Sequence, residues 1–239
     1  MKSCRNVEYG YSSSFATATW SEIQAIANKN AAQTYFSVGD TKNITLDDSN
    51  VFNMRIDDFN KYGANIVLIS TNLYPEKQRF YNASSIDVDR IIPWASSNLK
   101  GFVESTLYNL FPEEVKAVMK SCTRMDVANN TTFSAKLWIP NATELFGYIR
   151  NGIGYYKDAY MSDDESNYGF SKLSYYTIDE RRTKTVGNTS TEEVYWTISN
   201  IDPSRMNNGD GDKITCSRTG EAWYDSVVQR HYVCVGFCV

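Results

Sequence analysis

The sequence predicts an α+β domain: mixed, mostly antiparallel sheets carrying two or three short helices and one long irregular insertion. Three observations lead there. Segments of period-two hydrophobicity recur along the chain, the helical patterns are brief and bracketed by capping residues, and the C-terminus is itself an alternating apolar segment, HYVCVGFCV. At 239 residues the chain can bury one substantial core, and no composition shift divides it. A single domain over 1–239 is expected, with an N-terminal extension over 1–18, an irregular insertion over 151–193 and closing strands over 194–239.

The first element is TWSEIQAIANK. Thr19 followed three residues later by Glu22 is a capping-box pattern, and Trp20, Ile23 and Ala27 share one helical face. The strings YFSVGDTKNITL (35–46) and VFNMRIDDF (51–59), separated by the polar DDSN, predict a β-hairpin, with NIVLIS (65–70) as a further strand. From Trp94 onward, Leu99, Phe102, Val103, Leu107 and Leu110 recur at helical spacing, with Ser96 or Ser97 as N-cap. Pro112 suits the first turn of another short helix, PEEVKAVMK, whose acidic start and basic end match the helix dipole.

KLWIP (136–140) reads as a strand. It runs into a helical turn in NATELFG, with Asn141 as N-cap, Glu144 three residues on and Gly147 as the stop. Residues 151–193 show no sustained periodicity. Strands resume with VYWTIS (194–199), KITCSR (213–218) and HYVCVGFCV (231–239), with NNGDGD and TGE as turns.

Charge and composition narrow the function classes. A formal net charge of -4 disfavours a surface that tracks phosphates, so no nucleic-acid partner is expected. The start MKSCRNVEYG has no apolar stretch behind its cation, so no secretory signal is read there, and the longest apolar run, NIVLI, is too short for membrane insertion. Aromatics reach 14%, with 17 Tyr and 5 Trp, which suits either a ligand-gripping surface or the covering of sheets.

Catalytic and metal chemistry find little purchase. The five cysteines (Cys4, Cys122, Cys216, Cys234, Cys238) are odd in number and lack a CxxC, so they read as buried hydrophobes rather than as a disulfide framework or zinc site. On one continuous strand Cys234 and Cys238 would lie roughly 13 Å apart, and His231 would face away from Cys234. The only histidine is His231, and its local sequence supplies no activating acid. The run Asn208-Gly209-Asp210-Gly211-Asp212 imitates the start of a calcium loop but lacks the distal Glu, and Asp163-Asp164-Glu165 reads as a solvated loop tip. No catalytic residue, metal or cofactor is assigned.

Several strings together carry a resemblance: TWSEIQAIANKNAAQTYFSVGDTKNITL, WASSNLKGFVESTLYNLFPEEVKAVMK, KLWIPNATELFG, VYWTIS and the terminal HYVCVGFCV. In order and spacing they resemble a domain family of unassigned function carried by phage tail-associated and gut-bacterial proteins. Such domains are similar to the C-type-lectin-like fold of formylglycine-generating enzymes and of the variable proteins of diversity-generating retroelements. The chain departs from that pattern where a Trp-Leu-Arg-Ser stretch becomes Trp196-Thr197-Ile198-Ser199 and a Val-Arg-Pro-Ala-Phe ending becomes Val233-Cys234-Val235-Gly236-Phe237.

The resemblance implies a rigid scaffold whose C-terminal part displays ligand-contacting side chains, with Tyr195 to Tyr232 as the adapted region in a diversified copy. The candidate ligand-binding residues are Tyr195, Thr197, Ser199, Asn200, Arg205, Ser217, Arg218, Glu221, Trp223, Tyr224, Asp225, Gln229, Arg230, His231 and Tyr232. About half of the set from Trp223 to Tyr232 should pack inward, because strand residues alternate between faces. The expected activity is non-enzymatic binding of a host or bacterial surface protein or glycan, in a virion-associated setting. Two alternatives stand beside it: a structural tail or assembly protein that binds sister copies as a homo-oligomer, and an oxidase of the formylglycine-generating type.

Overall fold

In the computed structural model the described residues are 14–82, 92–126, 131–147, 173–177, 182–200 and 212–239. They form a mixed α+β architecture, mostly sheet, with short helices. Helix α1 (Trp20–Asn28) is started by the expected capping box: Thr19 Oγ1 accepts from Glu22 N at 3.2 Å, and Thr19 N donates to the Glu22 carboxylate at 2.7 Å. Its apolar face, Trp20, Ile23, Ile26 and Ala27, is buried. A single turn, α2 (Ala32–Tyr35), follows.

The expected hairpin is β1 (Thr41–Thr45) paired antiparallel with β2 (Val51–Lys61). A two-residue turn joins β2 to β3 (Ala64–Ser70), and Tyr62 and Gly63 both take positive φ, 57° and 74°, as a type I′ hairpin turn demands. The β2–β3 register slips by one between Ile56 and Asp58, so Asp57 is an extra, bulged residue. That slip has a purpose. Phe52, Met54 and Ile56 face one core, and without the bulge Phe59 would fall on the opposite face; with it, Phe59 joins them.

Strand β4 (Asn72–Arg79) leaves the first sheet immediately after β3. A short 3₁₀ turn (Trp94–Ser96) precedes α3 (Asn98–Gly101), capped by Ser97 Oγ accepting from Lys100 N, and α3 runs on into a π-helical turn over Phe102–Leu107. Helix α4 (Glu113–Val118) begins after Pro112. The hairpin β5 (Cys122–Asp126) and β6 (Thr131–Ala135) stands alone as a two-stranded sheet. Helix α5 (Ala142–Phe146) ends at Gly147 with φ 73°, and Asn141 N donates to Glu144 Oε2 at 2.7 Å. The remaining strands are β7 (Thr185–Val186), β8 (Tyr195–Asn200), β9 (Asp212–Cys216), β10 (Ala222–Ser226), β11 (Arg230–Val233) and β12 (Gly236–Cys238).

Two larger sheets result: β1-β2-β3-β12, and β10-β9-β8-β11-β4-β7, in which β11–β8 and β4–β7 are parallel and the other pairs antiparallel. Their central strands, β2 and β3 in one and β8 and β9 in the other, are packed on two sides. One core gathers Trp196, Ile198, Val233 and Phe80 with the helices; the other gathers Tyr195, Cys216, Leu73 and Tyr176 with Leu145 and Trp138.

Two expected strands differ. KLWIP is no strand: Trp138 makes only a bridge to Gly236, with Trp138 N donating to Gly236 O at 3.0 Å and Gly236 N to Trp138 O at 2.8 Å. All of Leu137, Trp138 and Ile139 are buried, which a one-sided strand would not allow. HYVCVGFCV is not continuous either. It breaks at Cys234–Val235, so β11 joins the six-stranded sheet while β12 pairs with β3 in the other. The 13 Å separation expected for Cys234 and Cys238 on one strand therefore does not apply.

Of the expected irregular insertion, the described parts are a 3₁₀ turn at Ser174–Thr177 and residues 182–193, including β7; the acidic run 163–165 and the turn 208–211 lie outside the described residues. No helix among the described residues is long and apolar enough to cross a membrane.

Candidate ligand-binding face

Strand β10 is the outer strand of the six-stranded sheet, and all five of its residues are half-exposed, whereas Lys213, Ile214, Thr215 and Cys216 on β9 beside it are buried. The β9–β10 turn is closed by Ser217 N donating to Glu221 O at 2.9 Å, by Ser217 Oγ accepting from Glu221 N at 3.0 Å, and by Gly220 at φ 79°. On β10 the Trp223 and Tyr224 rings lie 6.1 Å apart with planes 11° from parallel.

A tight turn then carries the chain into β11: Gln229 N donates to Ser226 O, and the carbonyl of buried Val227 accepts from Tyr81 N. This brings His231 Nε2 to 2.8 Å from Asp225 Oδ2, and the imidazole meets the buried Trp196 indole edge-on at 4.7 Å. An acidic neighbour that local sequence does not reveal is thus supplied in space. Among the described residues Asp225 is the one hydrogen-bond partner of the His231 side chain.

Next to it runs a charged band. Arg218, at the hairpin tip, is bidentate on Glu193 at 3.0–3.2 Å; Glu193 reaches Lys77 at 3.9 Å; the Lys77 ammonium sits 4.8 Å from the Tyr232 ring centre. Gln229 and Arg230 are exposed at the β10–β11 end. Lys77 and Glu193 join Arg218 to Tyr232 and are invisible in sequence, since they lie 155 and 39 residues before Tyr232 and no pattern links them.

The candidate residues therefore divide. Arg218, Glu221, Gln229 and Arg230 are exposed, and Ser217, Trp223, Tyr224, Asp225, His231 and Tyr232 are part-buried; Asp225 meets His231, while Arg218 is joined through Glu193 and Lys77 to Tyr232. Tyr195, Thr197 and Ser199 are inaccessible instead, because β8 is buried on both faces: Tyr195 donates to Arg182 O at 2.9 Å, Thr197 to Ile214 O at 2.6 Å, and Ser199 Oγ accepts from Ala142 N at 2.8 Å. Their polar atoms tie the sheet together. Arg205 and the side chain of Asn200 lie outside the described residues.

Beneath the sheet, buried charges brace the scaffold. Arg55 donates to Asp57 at 2.6 and 3.0 Å and to Tyr176 Oη at 3.0 Å, with the Tyr175 ring 3.3 Å from its guanidinium carbon. Lys184 donates to Ser70 O and to Tyr176 Oη, and burial holds its ammonium below the usual lysine range. Arg124, wholly enclosed, is bidentate on Glu144 at 2.6 and 2.5 Å and packs on Trp138 at 4.0 Å. Cys122, Cys216, Cys234 and Cys238 are free and buried; Cys234 accepts from Ser70 Oγ, while Cys238 lies against Cys122. Among the described residues, no three of His, Cys, Asp and Glu converge as metal ligands.

No protein-family model, curated protein or solved structure matches this chain.

Proposed function

We propose that the chain is a non-catalytic recognition domain with a C-type-lectin-like fold, of the kind carried by phage or gut-bacterial surface-binding proteins. The observation that carries this reading is the contrast within one sheet: β8 and β9 are enclosed on both faces, while β10 on one side of them and β11 on the other hold Trp223, Tyr224, Asp225, His231 and Tyr232 part-buried. A rigid support under accessible aromatic and polar groups lowers the ordering cost of binding, and tyrosine and tryptophan supply large contact area with few rotatable bonds. Return of β12 onto the N-terminal β2–β3 hairpin supports the lectin-like topology. In a retroelement-diversified copy, the tolerant positions would be the accessible ones between Ser217 and Tyr232, not Tyr195, Thr197 or Ser199.

The ligand is a host or bacterial surface glycan or protein, gripped by stacking on Trp223 and Tyr224 with hydrogen bonds from the charged rim. Array binding that falls about tenfold or more in the Trp223→Ala/Tyr224→Ala double variant, at unchanged circular dichroism, is the expected result. Binding that survives the double substitution sinks the proposal.

Assembly with sister copies is a second reading, favoured by the position of β10 at the edge of its sheet, where unpaired backbone groups can add a strand. A concentration-dependent oligomer lost on Tyr224→Pro would favour it. The oxidase reading needs Cys234 and Cys238 on one site, yet their thiols have different partners, Ser70 and Cys122.

A further inference from the structure

A cleft of about 540 Å³ opens between α1, β1 and α4, lined among others by Trp20, Gln24, Lys42, Asn43, Glu114 and Ala117. None of its lining residues belongs to β8–β11. Its volume lies within the roughly 300–1,000 Å³ typical of small-molecule sites, which a smaller cleft of about 250 Å³ beside Glu104 and Tyr108 does not reach.

The lining offers donors and acceptors in balance. The Lys42 ammonium has three N–H groups and spends two, on Ala16 O at 3.1 Å and Ala18 O at 2.7 Å. Asn43 uses its carbonyl to accept from Asn53 Nδ2 at 2.7 Å, which leaves its own NH₂ for a ligand. The Gln24 side chain and the Glu114 carboxylate make no hydrogen bond with other described residues, and they add an amide and two acceptor oxygens. One wall is apolar, formed by the exposed Ala117 with the buried Trp20 and Val118 behind it.

Charge narrows the class. The Lys42 ammonium is attracted by both Glu114 and Glu22, so one cation stands against two carboxylates and an anionic ligand is disfavoured. The first-turn N–H of Glu22 in α1 is already satisfied by Thr19, and the Glu22 carboxylate stands over that helix end, which repels anions. A ligand that both donates and accepts at several points, carries no net charge and has one apolar face meets these demands.

We propose that this cleft is a second binding site, independent of the β10–β11 face, for an uncharged polyhydroxylated ligand of one or two sugar rings. Hydroxyls are met by Lys42, Asn43, Gln24 and Glu114, and the C–H face of a ring lies against the exposed Ala117.

The test is amide chemical-shift mapping of the full chain with cellobiose and diacetylchitobiose as neutral probes and sialyllactose as an anionic one. The expected result is saturable shifts at Gln24, Lys42 and Asn43 at millimolar neutral disaccharide. Affinity should fall about tenfold in Ala117→Trp, which fills the cleft from an exposed helical position, and in Glu114→Gln. It should be unchanged in Trp223→Ala/Tyr224→Ala, which separates this site from the other face. No saturable shift with either neutral probe, binding indifferent to Ala117→Trp, or tighter binding of sialyllactose overturns the proposal.

Discussion

Asp225 on β10 and His231 on β11 meet at 2.8 Å across the turn that joins their strands, and the imidazole rests edge-on against Trp196 from the enclosed strand β8. This contact docks the accessible face onto the scaffold. Because the Asp225 side chain is 36% exposed, the polar contact itself is worth little, about 0–1 kcal/mol. Asp225→Asn is expected to shift the urea midpoint barely. His231→Ala also loses the ring packing on Trp196, worth about 0.5–1.5 kcal/mol, and should shift the midpoint more. Equal effects from the two substitutions would count against a packing role.

Gly236 is held by close approach. A β-carbon there would lie 2.5 Å from the Trp138 indole and 3.0 Å from Leu68 O, and both neighbours are buried. Gly236→Ala is expected to cost about 1–3 kcal/mol by overpacking, measured by chemical denaturation. Part of that loss should return when Trp138→Leu is added.

The Arg124–Glu144 pair is enclosed on all sides. Coulombic attraction to Glu144 and its hydrogen bonds raise the Arg124 guanidinium further above its usual range despite the opposing effect of burial, the largest single influence. Glu144→Leu alone should cost about 3–5 kcal/mol, since it strands a buried cation. The double variant Arg124→Met/Glu144→Leu should recover most of it, and a double variant as unstable as the single one would show that the pair does more than neutralise itself.

Asp48 gives a pH prediction. Burial pushes its carboxyl up, but hydrogen bonds from Tyr74 at 2.7 Å and from Asn50 outweigh that and leave it below the usual range. A lowered folded-state value means that its stabilisation is fully present above the unfolded value of about 3.9 and drains away as pH falls through the folded one. Tyr74→Phe should flatten the loss of stability below about pH 4, read from thermal midpoints against pH. The effect is small, because Asp48 is largely exposed.

Thiol labelling tests the second core. Burial pushes the Cys216 thiol up to about 12, and Cys122, Cys234 and Cys238 are as deeply enclosed. Iodoacetamide at pH 8 should modify none of these four in the folded protein and all four after denaturation, as located by mass spectrometry.

The polar patch shows where reading from sequence stops. Trp223, Tyr224, Asp225 and His231 stand out as binding-type residues within ten positions of one another, so their clustering is visible in the string itself. Lys77 and Glu193 reach Tyr232 and Arg218 only because β4, β8 and β11 are neighbours in the sheet. Strand β4 hides for a related reason. Pro75 and three charged residues obscure its period, and the register against β11 shifts where Pro75 cannot donate.

Sequence by itself determined the local elements: the Thr19 and Glu22 cap, the β1–β2 hairpin, the Ser97 cap and the Gly147 stop, because each depends on residues a few positions apart. Only the tertiary structure decided that β8 is covered on both faces, that Asp57 bulges to keep Phe59 in phase, and that the last strand splits between two sheets. The physical reason is reach. Which face is solvent and which is core depends on partners such as Arg55 and Tyr176, 121 residues apart, and no local periodicity encodes a contact at that range.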